Sequence, residues 1–322
     1  MLKNKIVSIN TSSPLEAYFH KSITDVSLIV CETIDDAIKK MVFLDAHPVN
    51  PNKTADAIYY IKSINGFIFS HHDYLFPIFR YMQHAGMLPK EGITLFNPDA
   101  HSDFYYAPEF GDSQHFDRWG KLQTLDWTDA PLEFARKNLK HSRDNIGIAS
   151  FLYPLLWDKS ITTYIWRDYK SLALFGRLAS KILHSSCQAE PVNFYYSNKA
   201  GHYFPPFYKD APHLQLNLKK TIEMSYLNAN TATFEAFSGW LKQLTGPIVH
   251  TVDVDFLFKG VPYKGFQDKY AEGFKQDMSF ISKNPQLYPL ATLIATSPTF
   301  SNPKEAERGV RFVLEQYRFL EQ

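Results

Sequence analysis

From Asn65 onward, short uninterrupted apolar runs alternate with segments whose apolar residues recur at helical spacing. Gly66 to Ser70 predicts a strand, and Tyr74 to His84 predicts a helix, with Asp73 as its cap and Pro77 close to the first turn. Ile93 to Phe96 predicts the next strand, stopped by Asn97-Pro98 because proline biases its predecessor and removes a ladder donor. Thr233 to Leu244 carries Phe234, Phe237, Trp240, Leu241 and Leu244 at helical spacing, ends at Gly246-Pro247, and feeds the apolar run Ile248 to Phe258. Leu293 to Ala295 predicts another strand, and Asn302-Pro303 opens a last helix to about Leu320. Upstream, Lys5 to Ile9 and Val26 to Val30 read as short strands and Asp35 to Lys40 as a helix. Strands that are apolar throughout, rather than alternating, are buried on both faces, which implies a mostly parallel sheet covered by helices. The expected fold is therefore α/β, a three-layer α/β/α sandwich. No repeat or Gly/Ser-rich linker divides the chain, so one domain over 1–322 is expected, with 1–60 an N-terminal appendage and 65–322 the core.

Charge narrows the classes of function. The 322 residues hold 34 Lys+Arg against 33 Asp+Glu, a formal net charge of +1. Without a concentrated basic run the chain has neither a nucleic-acid footprint nor a polybasic membrane anchor. No window approaches the length of a spanning helix and the first residues lack the apolar centre of a signal peptide, so a soluble cytoplasmic protein is expected. The two cysteines, Cys31 and Cys187, stand too far apart in the sequence, and too far from metal-type spacing, to suggest a zinc site.

The chemistry is concentrated at predicted strand ends, where ligands gather in parallel sheets. Asp99-Ala100-His101-Ser102-Asp103 places three metal-type ligands at alternate positions directly after a strand, and alternate residues of an extended chain point the same way. Asp253 and Asp255 share parity inside an apolar run, where unpaired carboxylates cost several kcal/mol and repel each other. No Lys or Arg lies in that run, the nearest downstream being Lys259, so a divalent metal is the simplest neutralising cation. A third strand end supplies Ser70-His71-His72-Asp73. Asp45-Ala46-His47-Pro48 looks similar but has Val49 where the second carboxylate should stand, and reads as a loop.

Asp99-Ala100-His101-Ser102-Asp103 resembles the Asp-Ala-His-x-Asp motif of the arginase and agmatinase superfamily of binuclear manganese ureohydrolases. Asp253-Val254-Asp255 resembles that family's second Asp-x-Asp motif, and His71-His72 stands at the place of its Gly-Gly-Asp-His, where either histidine could be the ligand and His72 aligns better and directly precedes the helix. Asn145 to Phe151 and Ala295-Thr296-Ser297-Pro298 also look like a divergent branch that includes the peptide arginases, which convert arginine to ornithine in ribosomally made peptides. The resemblance implies an arginase/deacetylase-like sandwich with two Mn²⁺ ions per chain. Asp99 and Asp253 would bridge them, His72 and Asp103 would complete one site, and His101 and Asp255 the other. Oxygen and imidazole donors suit manganese better than a thiophilic metal. The resemblance further implies Asp103 as the group that orients the attacking water and takes its proton. His115, twelve residues beyond Asp103, stands close to the spacing of the family's proton-shuttling histidine; the other reading is a histidine on a surface loop.

Departures from the family bear on substrate. Phe104-Tyr105-Tyr106 follows the motif where true arginases carry the Asn and Ser that hold a free α-carboxylate. An aromatic rim of Tyr105 and Tyr106 suits a neutral, bulky peptide, although the same tyrosines could equally pack beneath the loop. The family's late-strand Glu, which helps bind the guanidinium, has no counterpart in Leu293 to Pro298; Glu305, Glu307 or Asp112 could substitute. The expected partner is an arginine-containing precursor peptide, and the sequence leaves a homo-oligomer open. The alternatives are an agmatinase-like amidinohydrolase or amide deacetylase on the same scaffold acting on a small molecule, and a non-catalytic peptide-binding protein retaining the fold.

Overall fold

The computed structural model describes residues 26–41, 56–100, 126–130, 133–138, 151–152, 155, 160–167, 169, 241–242, 244, 246–258, 265–297 and 303–322. These build a seven-stranded sheet from β1 (Val26–Cys31), β2 (Asp56–Ile61), β3 (Gly66–Phe69), β4 (Ile93–Pro98), β5 (Ile161–Arg167), β6 (Ile248–Asp253) and β7 (Ala291–Ala295), in the order β1-β2-β3-β7-β6-β4-β5. From β3 to β5 every neighbouring pair is parallel, β1 and β2 are parallel to each other, and only β2 against β3 is antiparallel. The sheet is thus mostly parallel and the fold is α/β. Residues of the N-terminal segment contribute its first two strands.

Among the described residues the four longer helices are α1 (Ile34–Lys40), α2 (Leu75–His84), α3 (Asp268–Ser282) and α4 (Pro303–Gln316). Thr33 caps α1, its hydroxyl accepting from the Asp36 N–H at 3.2 Å. In α3 the buried residues Tyr270, Ala271, Phe274, Asp277, Met278 and Ile281 form a stripe at i, i+3 and i+4 spacing. α4 buries Ala306, Val310, Val313 and Leu314 in the same way, and both helices pack against the turn that follows β6. α2 differs: all its residues from Leu75 to Gln83 are buried, so it is enclosed on every side. Among the described residues, no helix is long and apolar enough to cross a membrane.

Three local expectations are corrected. The run Ile248 to Phe258 is not one strand: it leaves the sheet at Asp253 and coils into a 3-10 helix over Val254–Phe258. Parity therefore does not relate Asp253 to Asp255, because a strand's two-residue period ends where the ladder ends. Asp73 does not cap α2; it sits inside a 3-10 turn, His72–Tyr74, and the helix begins beyond Tyr74 without a side-chain cap. β4 runs on through Asn97 and Pro98, whose ladder with β5 pairs Pro98 with Arg167. The expected strand Lys5 to Ile9, the loop at Asp45 to Pro48 and most of the helix Thr233 to Leu244 lie outside the described residues.

Candidate metal centre

β3, β7, β6 and β4 are consecutive in the sheet and parallel, so their carboxyl ends share one edge. Register aligns them. Phe69 pairs with Ala295, and Ala295 with Asp253, while Phe96 pairs with His250, which puts Asp99 level with Asp253 across β4 and β6. His72 follows three residues after Phe69, in the tight turn that leads into α2.

This places His72, Asp99 and Asp253 together, each offering a ligand atom within 4.8 Å of the others, all three buried. His72 Nδ1 lies 3.3 Å from Asp99 Oδ2 and 3.5 Å from Asp253 Oδ2. Its other nitrogen, Nε2, is 2.7 Å from the Thr251 hydroxyl. With Nε2–H donated to Thr251, the Nδ1 lone pair faces the carboxylates, which is the tautomer a metal-binding imidazole needs. The His72 ring packs on Phe151 with centroids 4.7 Å apart.

Asp253 is held at both oxygens. Oδ1 accepts the Asp255 N–H at 2.9 Å and Oδ2 accepts the Ser297 hydroxyl at 2.6 Å. Asn97 Nδ2 donates to Asp99 Oδ2 at 3.3 Å. Asp255 Oδ1 accepts the Ala100 N–H at 3.1 Å, tying the turn after β6 to the residue that precedes His101. Burial, and next the neighbouring Asp255 charge, push the Asp253 carboxyl up to about 7, against the opposing pull of His72 and the Ser297 hydrogen bond. Among the described residues no Lys or Arg pairs with Asp253. A carboxylate so placed is an acid to which the described residues supply donors but no Lys or Arg charge. Its chemistry, with an imidazole nitrogen and a second carboxylate alongside, fits a hard divalent cation.

Asp255 is fully buried at the same edge but stands outside the three-residue group. Glu305, in the first turn of α4, accepts the Phe266 N–H at 3.1 Å and lies 4.0 Å from Arg308, and it too is not part of the group. Glu307 pairs with Arg311 at 2.7 Å. His101, Asp103, Tyr105, Tyr106, Asp112 and His115 lie outside the described residues.

Two contributors were not singled out from the sequence as part of the site. Thr251 stands two residues before Asp253 in β6, so strand parity alone could have found it. Ser297 carries no such signal, because it follows the end of β7 and reaches Asp253 only through a backbone turn. At the neighbouring β3 exit, Ser70 Oγ and Asp73 Oδ1 are buried with no hydrogen-bond partner among the described residues, and burial raises the Asp73 carboxyl against the opposing effect of His71.

In comparisons with known proteins, the chain matches no protein-family model, and no curated protein matches it. The class is thus defined by fold and site alone: a mostly parallel α/β protein with a buried His/Asp/Asp group at the carboxyl edge of its sheet.

Proposed function

We propose that this chain is a binuclear manganese hydrolase on an arginase-like three-layer sandwich, acting on arginine side chains within a peptide to leave ornithine and release urea. The observation that carries the reading is the convergence of His72 Nδ1, Asp99 and Asp253 in a buried group where, among the described residues, no Lys or Arg pairs with Asp253. His72, Asp99, Asp103 and Asp253 would hold one ion and Asp99, His101, Asp253 and Asp255 the other. When bound, the ions supply Lewis acidity and a water acidic enough to lose a proton near neutral pH. Asp103 takes that proton and His115 returns one to the departing amine. Water adds to the guanidinium carbon, the bond to the ornithine nitrogen breaks, and urea carries away the carbon. On this reading Tyr105 and Tyr106 would contact the neighbouring peptide residues, in the cytoplasm where the precursor peptide is made.

The test is incubation with Mn²⁺ and arginine-containing peptides, followed by mass spectrometry for loss of one carbodiimide unit per arginine, with free arginine and agmatine in parallel. Conversion of peptide arginine with much higher kcat/KM supports the reading; equal or better turnover of free arginine or agmatine overturns the peptide assignment. A second reading, a one-metal amide deacetylase, draws on the fact that the group found among the described residues has three members, enough for a single ion. Two Mn²⁺ per chain by elemental analysis excludes it, and one favours it.

A further inference from the structure

Ser297 is fully buried, and its backbone is left-handed, with φ of 45°. L side chains rarely adopt that conformation, and glycine is the usual occupant. A serine retained there asks what its side chain does. Its hydroxyl donates to Asp253 Oδ2 at 2.6 Å, and the same turn directs its N–H to the Ser70 carbonyl at 2.9 Å, next to the Thr296 N–H that reaches the Phe69 carbonyl at 2.9 Å. One residue thus ties the exits of β3, β6 and β7 together at the metal-type group.

The oxygen that Ser297 holds is the one that faces His72 Nδ1. With Oδ1 engaged by the Asp255 N–H, the carboxylate cannot rotate without losing a bond at each end, and each oxygen keeps lone-pair capacity beyond the donor it has. A Lys or Arg in the place of Ser297 would orient the carboxylate but also neutralise it. A hydroxyl orients it and leaves its charge for a cation.

We propose that Ser297 is a positioning residue of the metal centre, its left-handed backbone aiming a hydroxyl that fixes Asp253 in the orientation shared with His72 and Asp99. The inference rests on the metal-centre reading above. The test compares Ser297→Ala, which removes the hydroxyl and keeps the strain, with Ser297→Gly, which removes both. Mn²⁺ affinity is measured by titration calorimetry and by electron paramagnetic resonance of free Mn²⁺, and thermal melting is followed on the metal-free proteins. Both variants should bind Mn²⁺ about 10–100-fold more weakly than the parent. The metal-free glycine variant should nevertheless melt above the alanine variant, because glycine accepts positive φ. A similar loss of affinity in two variants that differ in melting is what a merely structural role cannot produce. Parent-like affinity in both variants overturns the proposal, as does parent-like affinity in the glycine variant alone, which would make the backbone rather than the hydroxyl responsible. If the alanine variant does not fold, the glycine variant against the parent decides. A parent protein that takes up no Mn²⁺ overturns the metal-centre reading itself, and the inference with it.

Discussion

Two buried carboxylates at the carboxyl end of this sheet are handled in opposite ways. Asp277, on α3, is fully buried and receives the Arg167 guanidinium at both oxygens, Nε to Oδ2 at 2.7 Å and Nη2 to Oδ1 at 3.2 Å, with the Tyr169 hydroxyl donating to Oδ2 at 2.8 Å. Arg167 ends β5 and lies over the Tyr169 ring at 4.9 Å. Gly273 of α3 makes room for that ring, since a Cβ there would sit 2.6 Å from it. Asp253, two strands away, receives a serine hydroxyl and a backbone N–H, and faces an imidazole. The first acid is closed by a cation the chain brings itself. The second is oriented, among the described residues, by donors that carry no full charge. Several kcal/mol of desolvation stand behind either ion, and among the described residues the first meets a guanidinium while the second meets no Lys or Arg.

The sharpest way to break this contrast is to remove each acid in turn. Asp253→Ala should abolish Mn²⁺ uptake and turnover together, seen by elemental analysis and the peptide assay, whereas Asp277→Asn should retain the metal content of the parent. Loss of metal from both variants would mean the two acids are not distinct in kind. Asp277→Asn should instead destabilise the protein by about 3–5 kcal/mol, because it removes the carboxylate that the largely buried Arg167 guanidinium holds at both oxygens. The denaturant midpoint measures that.

Metal removal comes next in size. Chelation of Mn²⁺ should lower the apparent stability by about 2.7 kcal/mol relative to protein held at a hundred times its Kd, and by the same amount in the Asp277→Asn variant. Melting with and without chelator checks it. Unchanged melting would show that nothing at Asp253 depends on a cation.

His250 shows a third treatment of a buried titratable group. It lies in β6 with Nδ1 3.0 Å from the Tyr317 hydroxyl and its ring 4.9 Å from that of Phe96, and burial pulls its pKa down from 6.5 to about 3. Between those values the unfolded chain binds the extra proton and the folded protein does not, so the stabilisation is complete above pH 6.5 and is lost as pH falls. The unfolding free energy of the parent, relative to His250→Gln, should therefore fall by about 1.4 kcal/mol per pH unit across that window. A flat difference in denaturant titrations would show that the ring is protonated in the fold. The smallest effect is expected from Tyr169→Phe, which removes one donor while leaving the bidentate pair, about 0.5–1.5 kcal/mol in the same titration.

Much of this arrangement is legible in the chain. The apolar runs at Gly66, Ile93, Ile248 and Leu293 are strands because each sheet position is buried, and continuous burial leaves a continuous apolar signature. His72, Asp99 and Asp253 are visible as polar residues placed where those runs end. The turn after β6 is less legible, since Val254 to Phe258 is as apolar as a strand and composition alone does not distinguish a buried strand from a buried 3-10 turn. Asp73 reads as a cap, yet one more turn of 3-10 helix intervenes.

By itself, then, the sequence determined the near-neutral charge, the strand and helix segments, and which acids and imidazoles stand at strand ends, because burial and local period are written residue by residue. Only the tertiary structure decided which of those ends are neighbours. The hydroxyl that orients Asp253 comes from 44 residues away, and the guanidinium that closes Asp277 from 110. No local pattern encodes such partners. They follow from strand order and register, which the whole set of non-local contacts selects at once.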